Sequence, residues 1–480
     1  MDDELFHVNG VNAATGSYVT DPAHASAIAE AALSESLSPD TVEALLAKWA
    51  SELESFAPAD RIDAKDLSSA GWGMIFAFPA DDAARARQEA VRQALAPLIE
   101  RRKAQAGALF KDYSGPLARL PKESALAFLA RQGSGPGPVD PSAVPYYLLI
   151  VADPQTIPFQ FQYLVDLDYA VGRLHFETVE EYARYAQGVV DAETNPPPPT
   201  RRVVLFGTRN DDDVATQQSA DLLVGPLADK LSGDFAGTGW AFETVVGQGK
   251  ATKANLATYL GGAARPDLLF TASHGVAFPL NDPRQLPHQG ALLCQDWPGP
   301  AVWGNRPVPA SYYFSADDLT DAARVGGLIA FHFACYGAGT PALDEFPHPK
   351  LAARPTIAPR SFLARLPNAL LAHPGGGALA VVGHVERAWP CSFVWKQAGA
   401  QLEVFRDLMT RLLKHNPIGA ALDVFNARYA TLSAFVNNDV QDAKYGGTPD
   451  PVNLAYLWTA ANDARGYVVL GDPAVRLPDG

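Results

Sequence analysis

Two residues of this 480-residue chain, Cys335 and His274, have the types and settings that nucleophilic chemistry requires. Cys335 ends an apolar run and leads into a glycine-rich turn within Gly326 to Gly339, GGLIAFHFACYGAG. His274 ends a second apolar run within Asp267 to Gly275, DLLFTASHG. A thiol is weakly ionised at neutral pH, so it needs an imidazole to take its proton and then to protonate the leaving amine. The pair therefore predicts acyl transfer by a Cys-His dyad.

The two residues are separated by 61 positions, so only the fold can bring them together. Continuous apolar runs bounded by glycine are typical of strands that helices cover on both faces, as in parallel sheets. The carboxyl ends of neighbouring parallel strands emerge on the same side of a sheet. The pattern thus predicts that His274 and Cys335 end two core strands of such a sheet.

The motif TASHG and the later Phe333-Ala334-Cys335-Tyr336-Gly337 resemble the signature of the caspase-like cysteine peptidases of clan CD. This clan includes caspases, gingipains, separases and CHAT modules. The resemblance implies a caspase-like fold, peptide-bond hydrolysis, and an oxyanion hole built from the backbone N–H groups of Gly275 and Cys335. It implies no metal and no organic cofactor. A third residue that orients the imidazole is not evident from the sequence.

The expected fold is α/β, with a caspase-like, mainly parallel sheet flanked by helices and preceded by a smaller α/β subdomain. We expect an N-terminal extension over 1–70, a gingipain-like α/β subdomain over 71–195 and a catalytic domain over 200–480. The proline-rich Asn195 to Thr200, NPPPPT, marks the boundary between the last two. Five strands are predicted in the catalytic domain: Arg202–Gly207, Phe242–Val246, Asp267–Ser273, Leu328–Ala334 and Ala378–Val382.

Substrate preference is predicted from acidic residues. Residues 146–173, which hold a strand, an Asp-Pro turn and the run DLDYAVGR, resemble the N-terminal subdomain of gingipain-type peptidases. Asp166 or Asp168 in this run is expected to face the pocket and to pair with an arginine or lysine before the scissile bond. The alternative, that both are turn or strand-edge residues, stays open. Asp344 and Glu345, after the nucleophile, are weaker candidates for the same role.

The other cysteines and the histidine nearest to Cys335 are expected to be structural. Cys294 and Cys391 do not end strand-like runs, so they are predicted to be small buried hydrophobic residues. His332 should point into the packed sheet. The remaining histidines do not have the spacing of a metal site.

The charge composition of the chain indicates which classes of partner are unfavourable. A formal charge of −15 without a Lys/Arg-rich block argues against nucleic acid or an anionic membrane surface as a partner. The acidic start of the sequence does not resemble a signal peptide, and no apolar run is long enough to cross a membrane. We therefore expect a cytoplasmic protein whose partners are a peptide or protein substrate and an activating protein, in a signalling or defence setting.

Two other functions compete with the peptidase. One is a catalytically silent caspase-like module that binds or scaffolds a partner. The other is a different hydrolase, which is least favoured because the sequence lacks a G-x-S-x-G elbow. If the enzyme is made as a zymogen, the sequence indicates basic residues within 283–306 and 350–360 as points of self-cleavage.

Overall fold

The computed structural model describes residues 4–34, 41–42, 44–45, 48, 62–196, 198–247, 249–261, 264–346, 354–395 and 398–478. Residues 350–353 of the predicted self-cleavage segment lie outside these ranges. The strands are β1 (Leu5–Phe6), β2 (Gly10–Asn12), β3 (Ala23–His24), β4 (Trp72–Ile75), β5 (Phe110–Tyr113), β6 (Tyr147–Val151), β7 (Ala170–Leu174), β8 (Arg202–Gly207), β9 (Ala241–Val246), β10 (Leu268–Ala272), β11 (Gly275–Ala277), β12 (Leu292–Leu293), β13 (Tyr313–Phe314), β14 (Ile329–Phe333), β15 (Gly339–Thr340), β16 (Phe362–Leu363), β17 (Ala380–His384), β18 (Val394–Trp395), β19 (Gly399–Ala400) and β20 (Tyr467–Gly471).

The helices of the described residues lie mostly between these strands. They are α1 (Ala25–Ser34), α2 (Leu67–Ala70), α3 (Asp82–Ala94), α4 (Ala96–Ala106), α5 (Ala125–Arg131), α6 (Phe159–Val165), α7 (Val179–Thr194), α8 (Val214–Gln218), α9 (Gly225–Asp234), α10 (Lys253–Gly261), α11 (Gln285–His288), α12 (Pro300–Trp303), α13 (Arg365–Leu371), α14 (Glu403–Leu413), α15 (Ile418–Lys444) and α16 (Pro451–Gly466). A π-helical turn over Ser219–Val224 joins α8 to α9. Within the described ranges, no helix combines the length and the apolar character that crossing a membrane requires.

The central feature is a ten-stranded sheet in the order β5-β4-β6-β7-β20-β17-β14-β10-β8-β9. Every neighbouring pair is parallel except β17 and β20, which pair antiparallel. The sheet therefore consists of two parallel halves of opposite direction that meet at β17 and β20. The predicted fold class, a mainly parallel sheet flanked by helices, is confirmed.

The strands that were expected to carry the chemistry lie in the middle of one half. Every residue of β10 and of β14 is buried, as expected for strands that helices cover on both faces. The rings of Phe270 and Phe331, on these two strands, stack at 5.0 Å between centroids. Phe405 of α14 packs edge-on against both rings. This aromatic cluster fixes the register of the strands that precede His274 and Cys335.

The other half of the sheet is built from both ends of the chain. Strands β4 to β7 come from the segment predicted as the N-terminal subdomain, and β20, near the C-terminus, pairs in parallel with β7. At this junction Asp472 is fully buried, accepts a hydrogen bond from Trp72 Nε1 at 2.9 Å, and forms an ion pair with Arg102 at 2.7 Å. Glu193 forms a second ion pair with Arg102. The domain boundaries themselves stay a prediction.

A second sheet of four short strands, in the order β13-β12-β11-β2, lies at the carboxyl ends of β10 and β14. Strand β11 begins directly after His274, and β2 from the start of the chain pairs with it in parallel. The segment 278–309, in which the sequence shows no periodicity, supplies β12, α11 and α12. The small sheet has its own apolar core, which includes Val11, Val276 and Trp297. The start of the chain is therefore placed against the site.

Candidate active site

Cys335 lies two residues beyond the end of β14, where the chain turns sharply. Tyr336 has a φ of 59°, in the left-handed region that non-glycine residues rarely adopt. Its N–H donates to the carbonyl of Glu386, which also has a positive φ, of 69°. Such conformations cost on the order of 1–3 kcal/mol each and cluster at functional sites. The surrounding contacts thus hold Cys335 in a strained turn.

His274 is adjacent to Cys335 at the same edge of the sheet. Strands β10 and β14 are parallel neighbours in which Ala272 pairs with Phe333. His274 and Cys335 each follow that pair by two residues. Gly275 lies against the backbone of Cys335 so closely that a β-carbon there would be 1.8 Å from the Cys335 carbonyl oxygen. The structure therefore places the backbones of these two residues at neighbouring strand ends, and the dyad itself stays a prediction.

Asp213 contacts the other side of the imidazole. Its Oδ2 lies 2.5 Å from Nε2 of His274, and both side chains are buried. Burial alone would raise the pKa of this carboxyl. The interaction with His274, together with hydrogen bonds that Tyr18 and Thr216 donate to Asp213, instead lowers the pKa to about 2. Because an ionised carboxylate only accepts, Nε2 of His274 donates to it. Nδ1 of His274 is buried without a partner among the described residues, so it is the nitrogen left to exchange a proton with a substrate.

Aromatic side chains surround this pair. The Tyr18 hydroxyl donates to Oδ1 of Asp213 at 2.7 Å, and burial followed by the nearby Asp213 raises the pKa of Tyr18. The Tyr18 ring meets the His274 ring edge-on at 5.7 Å, and the Trp297 ring does so at 6.1 Å. These rings fix the imidazole plane and keep water away from the His274–Asp213 hydrogen bond, which strengthens it.

The N–H groups of Gly275 and Cys335 converge on a single oxygen atom. This atom is the carbonyl oxygen of Asn9, which accepts from Gly275 at 3.0 Å and from Cys335 at 3.2 Å. Two backbone donors aimed at one oxygen beside a nucleophile is the geometry that stabilises the oxyanion of acyl transfer. The two donors are those that the caspase-like resemblance implies. In this structure the chain's own N-terminal segment provides the oxygen.

The thiol of Cys335 is covered. Its side chain is fully buried, and Sγ accepts a hydrogen bond from the N–H of Ala388 at 3.2 Å. Burial raises the pKa of the thiol to about 12, against smaller opposing effects of the Ala388 N–H and of Arg387. The backbone of Gly10 covers the sulfur so closely that a β-carbon there would lie 2.9 Å from Sγ. In this state the thiol is neutral and shielded from solvent.

The acidic residues predicted to select the substrate lie away from this pair. Asp166 is buried at the end of α6 and accepts from the N–H of Val171 at 3.1 Å, and burial raises its pKa well above its ordinary value. Asp168 is half-buried and lies two residues farther on. Both residues precede β7. In the sheet, β20 and β17 lie between β7 and β14. The contact of Asp166 is that of a turn residue, and its pairing with a substrate stays a prediction.

The two weaker candidates belong to a buried cluster of charges next to the strained turn. Asp344 accepts two hydrogen bonds from Arg387, at 2.7 and 3.0 Å. Glu345 lies 3.6 Å from Arg465, and its N–H donates to the Glu386 carboxyl. Burial raises the pKa of Glu386 to about 8. Asp344 and Glu345 are therefore already paired with arginines of this chain.

The remaining cysteines and His332 are buried, in the positions predicted for structural residues. Cys294 and Cys391 are 1% and 3% exposed, and burial raises the pKa of both thiols. His332 is fully buried, and burial lowers its pKa to about 4. A neutral imidazole inside the sheet suits a packing role rather than proton transfer.

Three residues of the site, Asp213, Tyr18 and Asn9, are not predicted from the sequence. Asp213 is the third of three consecutive aspartates after β8, and it caps α8 by accepting from the N–H of Ala215. Its place before a short helix could have indicated a helix cap, but no local signal links it to His274. Tyr18 and Asn9 have no comparable signal, because their contacts with the site depend entirely on how the start of the chain folds back.

Comparison with known proteins finds relatives only among solved structures. No protein-family model matches the chain, and no curated protein matches it. A structure described as a protease is 13% identical, with a TM-score of 0.48 over 86% of this chain and 80% of the other. The Arg-specific cysteine proteinase gingipain R (RgpB) is 13% identical, with a TM-score of 0.47 over 85% of this chain and 78% of the other. Separase in the Saccharomyces cerevisiae separase–securin complex is 10% identical, with a TM-score of 0.31. The match covers 68% of this chain and 15% of the other.

Proposed function

We propose that this chain is a cysteine peptidase whose nucleophile is Cys335. The observation that carries the proposal is the convergence of the Gly275 and Cys335 N–H groups on one carbonyl oxygen beside the thiol. A peptide carbonyl is therefore held where the tetrahedral intermediate of acyl transfer would form. His274, with its Nδ1 unpaired, and Asp213, bound to its Nε2, supply the proton-transfer pair.

In the proposed mechanism His274 removes the thiol proton through Nδ1, and the Cys335 sulfur attacks the carbonyl carbon. The new oxyanion accepts from the N–H groups of Gly275 and Cys335. As the carbon–nitrogen bond breaks, the leaving amine takes the proton from His274. Water, deprotonated by His274, then cleaves the thioester and restores the thiol. Asp213 stays ionised and stabilises the imidazolium that forms in each half.

The covered state of Cys335 supports a regulated endopeptidase rather than a constantly active one. A thiol whose pKa is about 12 is almost entirely protonated at neutral pH, so it reacts slowly while it is covered. The proposal also includes the expected cytoplasmic setting and an activating protein partner. Cleavage after arginine or lysine, with Asp166 or Asp168 as the recognising acid, is a separate part that needs its own test.

A second candidate function, a silent caspase-like module that binds or scaffolds a partner, also has support from one observation. Asn9 and Gly10 fill the position that a substrate would take, and a protein that never turns over a substrate has no need to release them. The two functions differ in what happens once Cys335 is uncovered. An active enzyme then has a reactive thiolate, whereas a silent module has an ordinary cysteine.

The test compares the wild type with Gly10→Ala, in which the new methyl group clashes with the sulfur and with Val19 and so displaces the segment. Each is assayed on fluorogenic peptides that end in arginine, lysine, aspartate, leucine or asparagine, with and without Cys335→Ala. We expect turnover in Gly10→Ala that disappears in the double variant. If Gly10→Ala turns over none of the peptides, and a thiol-specific electrophile labels Cys335 no faster than Cys294 or Cys391, the silent module is correct.

A further inference from the structure

The segment 8–12 runs through the site in the manner of a bound substrate. The N–H of Asn9 donates to the carbonyl of Ala388 at 3.0 Å, while its own carbonyl oxygen occupies the oxyanion position. Beyond Asn9, strand β2 pairs in parallel with β11, starting with Gly10 beside Gly275. Backbone contacts therefore hold the chain on both sides of the Asn9–Gly10 peptide bond, and that bond lies at the thiol.

Ala388 connects the segment to the nucleophile. Its carbonyl binds the Asn9 N–H, and its own N–H donates to Sγ of Cys335 at 3.2 Å. Gly10 is the residue immediately after the bond, and it is the residue whose backbone touches the sulfur. A larger residue in place of Gly10 would not fit. The close approach thus depends on this particular sequence, Asn-Gly, at this particular position.

The side chain of Asn9 reveals what the site accepts before the bond. It is fully buried, and neither its Oδ1 nor its Nδ2 has a hydrogen-bond partner among the described residues. Burying an unpaired amide costs about 1–3 kcal/mol. The Asn9 side chain is therefore accommodated by the shape of its surroundings and not by hydrogen bonds. A guanidinium or an ammonium in the same place would need a paired carboxylate. The position therefore favours a small uncharged residue.

We propose that the Asn9–Gly10 peptide bond is a proteolytic processing site that this chain cleaves itself, and that the cut uncovers Cys335. This inference rests on the proposed function, and it adds the substrate: a segment with a small uncharged residue before the bond and glycine after it. It replaces the basic loop residues within 283–306 and 350–360 as the point of self-cleavage, and at this bond it replaces the preference for arginine or lysine.

The sulfur of Cys335 forms a bond to the Asn9 carbonyl carbon, and the electron pair of the carbonyl moves onto its oxygen, which the two N–H groups stabilise. When this pair returns, the Asn9–Gly10 carbon–nitrogen bond breaks, and the proton that His274 took from the thiol goes to the Gly10 nitrogen. One water then hydrolyses the thioester. The products are an Asn9 carboxylate, a free Gly10 amine and the restored thiol.

Different elements hold the two ends that the cut would create. Upstream, β1 pairs with β3, and the Phe6 ring packs on that of Tyr456 at 4.7 Å. Downstream, β2 stays on β11, and the N–H of Val19 donates to the Gly10 carbonyl at 3.1 Å. The cut makes Gly10 a free chain end, which can move away from the sulfur while Val11 and Asn12 stay paired on β11, and Asn9 can move with β1. Asn9 then leaves the oxyanion position, and the loss of burial lowers the pKa of the thiol.

The experiment incubates the purified full chain at neutral pH and follows its intact mass and the sequence of any new N-terminus. Wild-type protein should yield a chain that begins at Gly10, while Cys335→Ala should do so slower by at least roughly 100-fold. Asn9→Ala should still be cut, and Asn9→Lys should be cut at least roughly 10-fold more slowly, because the buried position has no paired acid. Spontaneous reaction of the Asn-Gly pair would proceed equally in Cys335→Ala.

Any other pattern overturns the inference. A cut elsewhere, a cut that persists in Cys335→Ala, or wild-type protein that stays intact each shows that Asn9–Gly10 is not a self-processing site. The peptide assay of Gly10→Ala separates this failure from that of the proposed function. If wild-type protein stays intact while Gly10→Ala turns over peptides, the enzyme stands and the processing site does not. If both are silent and the electrophile labels Cys335 no faster than Cys294 or Cys391, both proposals fail.

Discussion

Oδ2 of Asp213 lies 2.5 Å from Nε2 of His274, although 61 residues separate the two in the sequence. The contact turns the Cys335–His274 pair into a three-residue arrangement, in which the carboxylate fixes the tautomer and the orientation of the imidazole. Orientation by a buried acid matters because the imidazole must present one particular nitrogen to the substrate. The candidate nucleophile and base are thus supported by a residue that the sequence alone does not single out.

Replacement of Asp213 by asparagine should lower kcat/KM in the activated enzyme by about 10²–10⁴-fold, the range for loss of efficient acid–base catalysis. The amide can present its N–H to Nε2, which favours the wrong tautomer. The loss should fall on kcat, with KM little changed, because Asp213 does not contact the substrate. Steady-state kinetics on the best peptide measures both constants.

Asp211→Asn is the matched control for this replacement. Asp211 is an exposed neighbour in the same run of aspartates, and its ion pair is with Arg209 rather than with His274. It should leave kcat and KM unchanged. If Asp213→Asn behaves like Asp211→Asn, the carboxylate is a structural cap of α8 and does not assist His274.

Asp213 should also make the stability of the fold depend on pH under acidic conditions. Its pKa is about 2 in the folded chain and about 4 in an unfolded one. A lowered folded pKa gives stability that is complete above the unfolded value and is lost as the pH falls through the folded one. The loss amounts to about 2 kcal/mol. Urea unfolding between pH 6 and pH 2 should therefore show the advantage of wild type over Asp213→Asn shrinking by this amount.

A constant difference between the two proteins over that pH range would contradict this view of Asp213. It would mean that the carboxyl titrates in the folded chain much as it does in the unfolded one. Asp211→Asn again serves as the reference, because an exposed aspartate should contribute no such change.

Local sequence predicts the central strands well, because a fully buried strand must be apolar throughout. Strand β8 is observed with the predicted bounds, Arg202–Gly207, and β10 and β14 differ from the predicted runs only by one residue at each end. The positions of His274 and Cys335 follow from those strands. The antiparallel pairing of β17 with β20 does not follow from local sequence, since it depends on which distant strands pair.

The parts of the site that the sequence does not predict are those made by distant segments. Asn9 is more than 250 residues from both of its donors, Gly275 and Cys335. No local pattern distinguishes a carbonyl that will occupy an oxyanion position from any other. Tyr18 reaches Asp213 in the same way, across 195 residues. Such contacts are decided by the packing of the small sheet, not by propensity.

Gly275→Ala should impair both the fold and the site. A β-carbon at Gly275 would lie 1.8 Å from the Cys335 carbonyl oxygen, so the backbones of the two strand ends must move apart. Overpacking of this kind costs about 1–3 kcal/mol. We expect a lower midpoint in urea unfolding and loss of peptide turnover even where the protein stays folded, because one oxyanion donor is displaced.

Gly233→Ala is the matched control, since a β-carbon at Gly233 meets open space and alanine suits its position in helix α9. It should keep full turnover and unfold at the same or a higher urea concentration. Equal behaviour of the two variants would show that Gly275 does not contact Cys335 as the structure has it.

Asp472→Ala should destabilise the fold without touching the site. Asp472 is fully buried between the two halves of the chain, where it pairs with Arg102 at 2.7 Å and accepts from Trp72. Arg102 keeps its ion pair with Glu193, but Trp72 Nε1 loses its buried acceptor, so we expect a cost of about 1–3 kcal/mol. Urea unfolding measures this loss, and Asp234→Ala, which removes an exposed ion pair with Arg406, should leave the midpoint unchanged. At low urea, Asp472→Ala should still be cut after Asn9, because β20 runs antiparallel to β17 and Asp472 lies at the edge of the sheet opposite to Cys335. An unchanged midpoint would mean that the half of the sheet that contains β4 and β20 does not depend on these contacts.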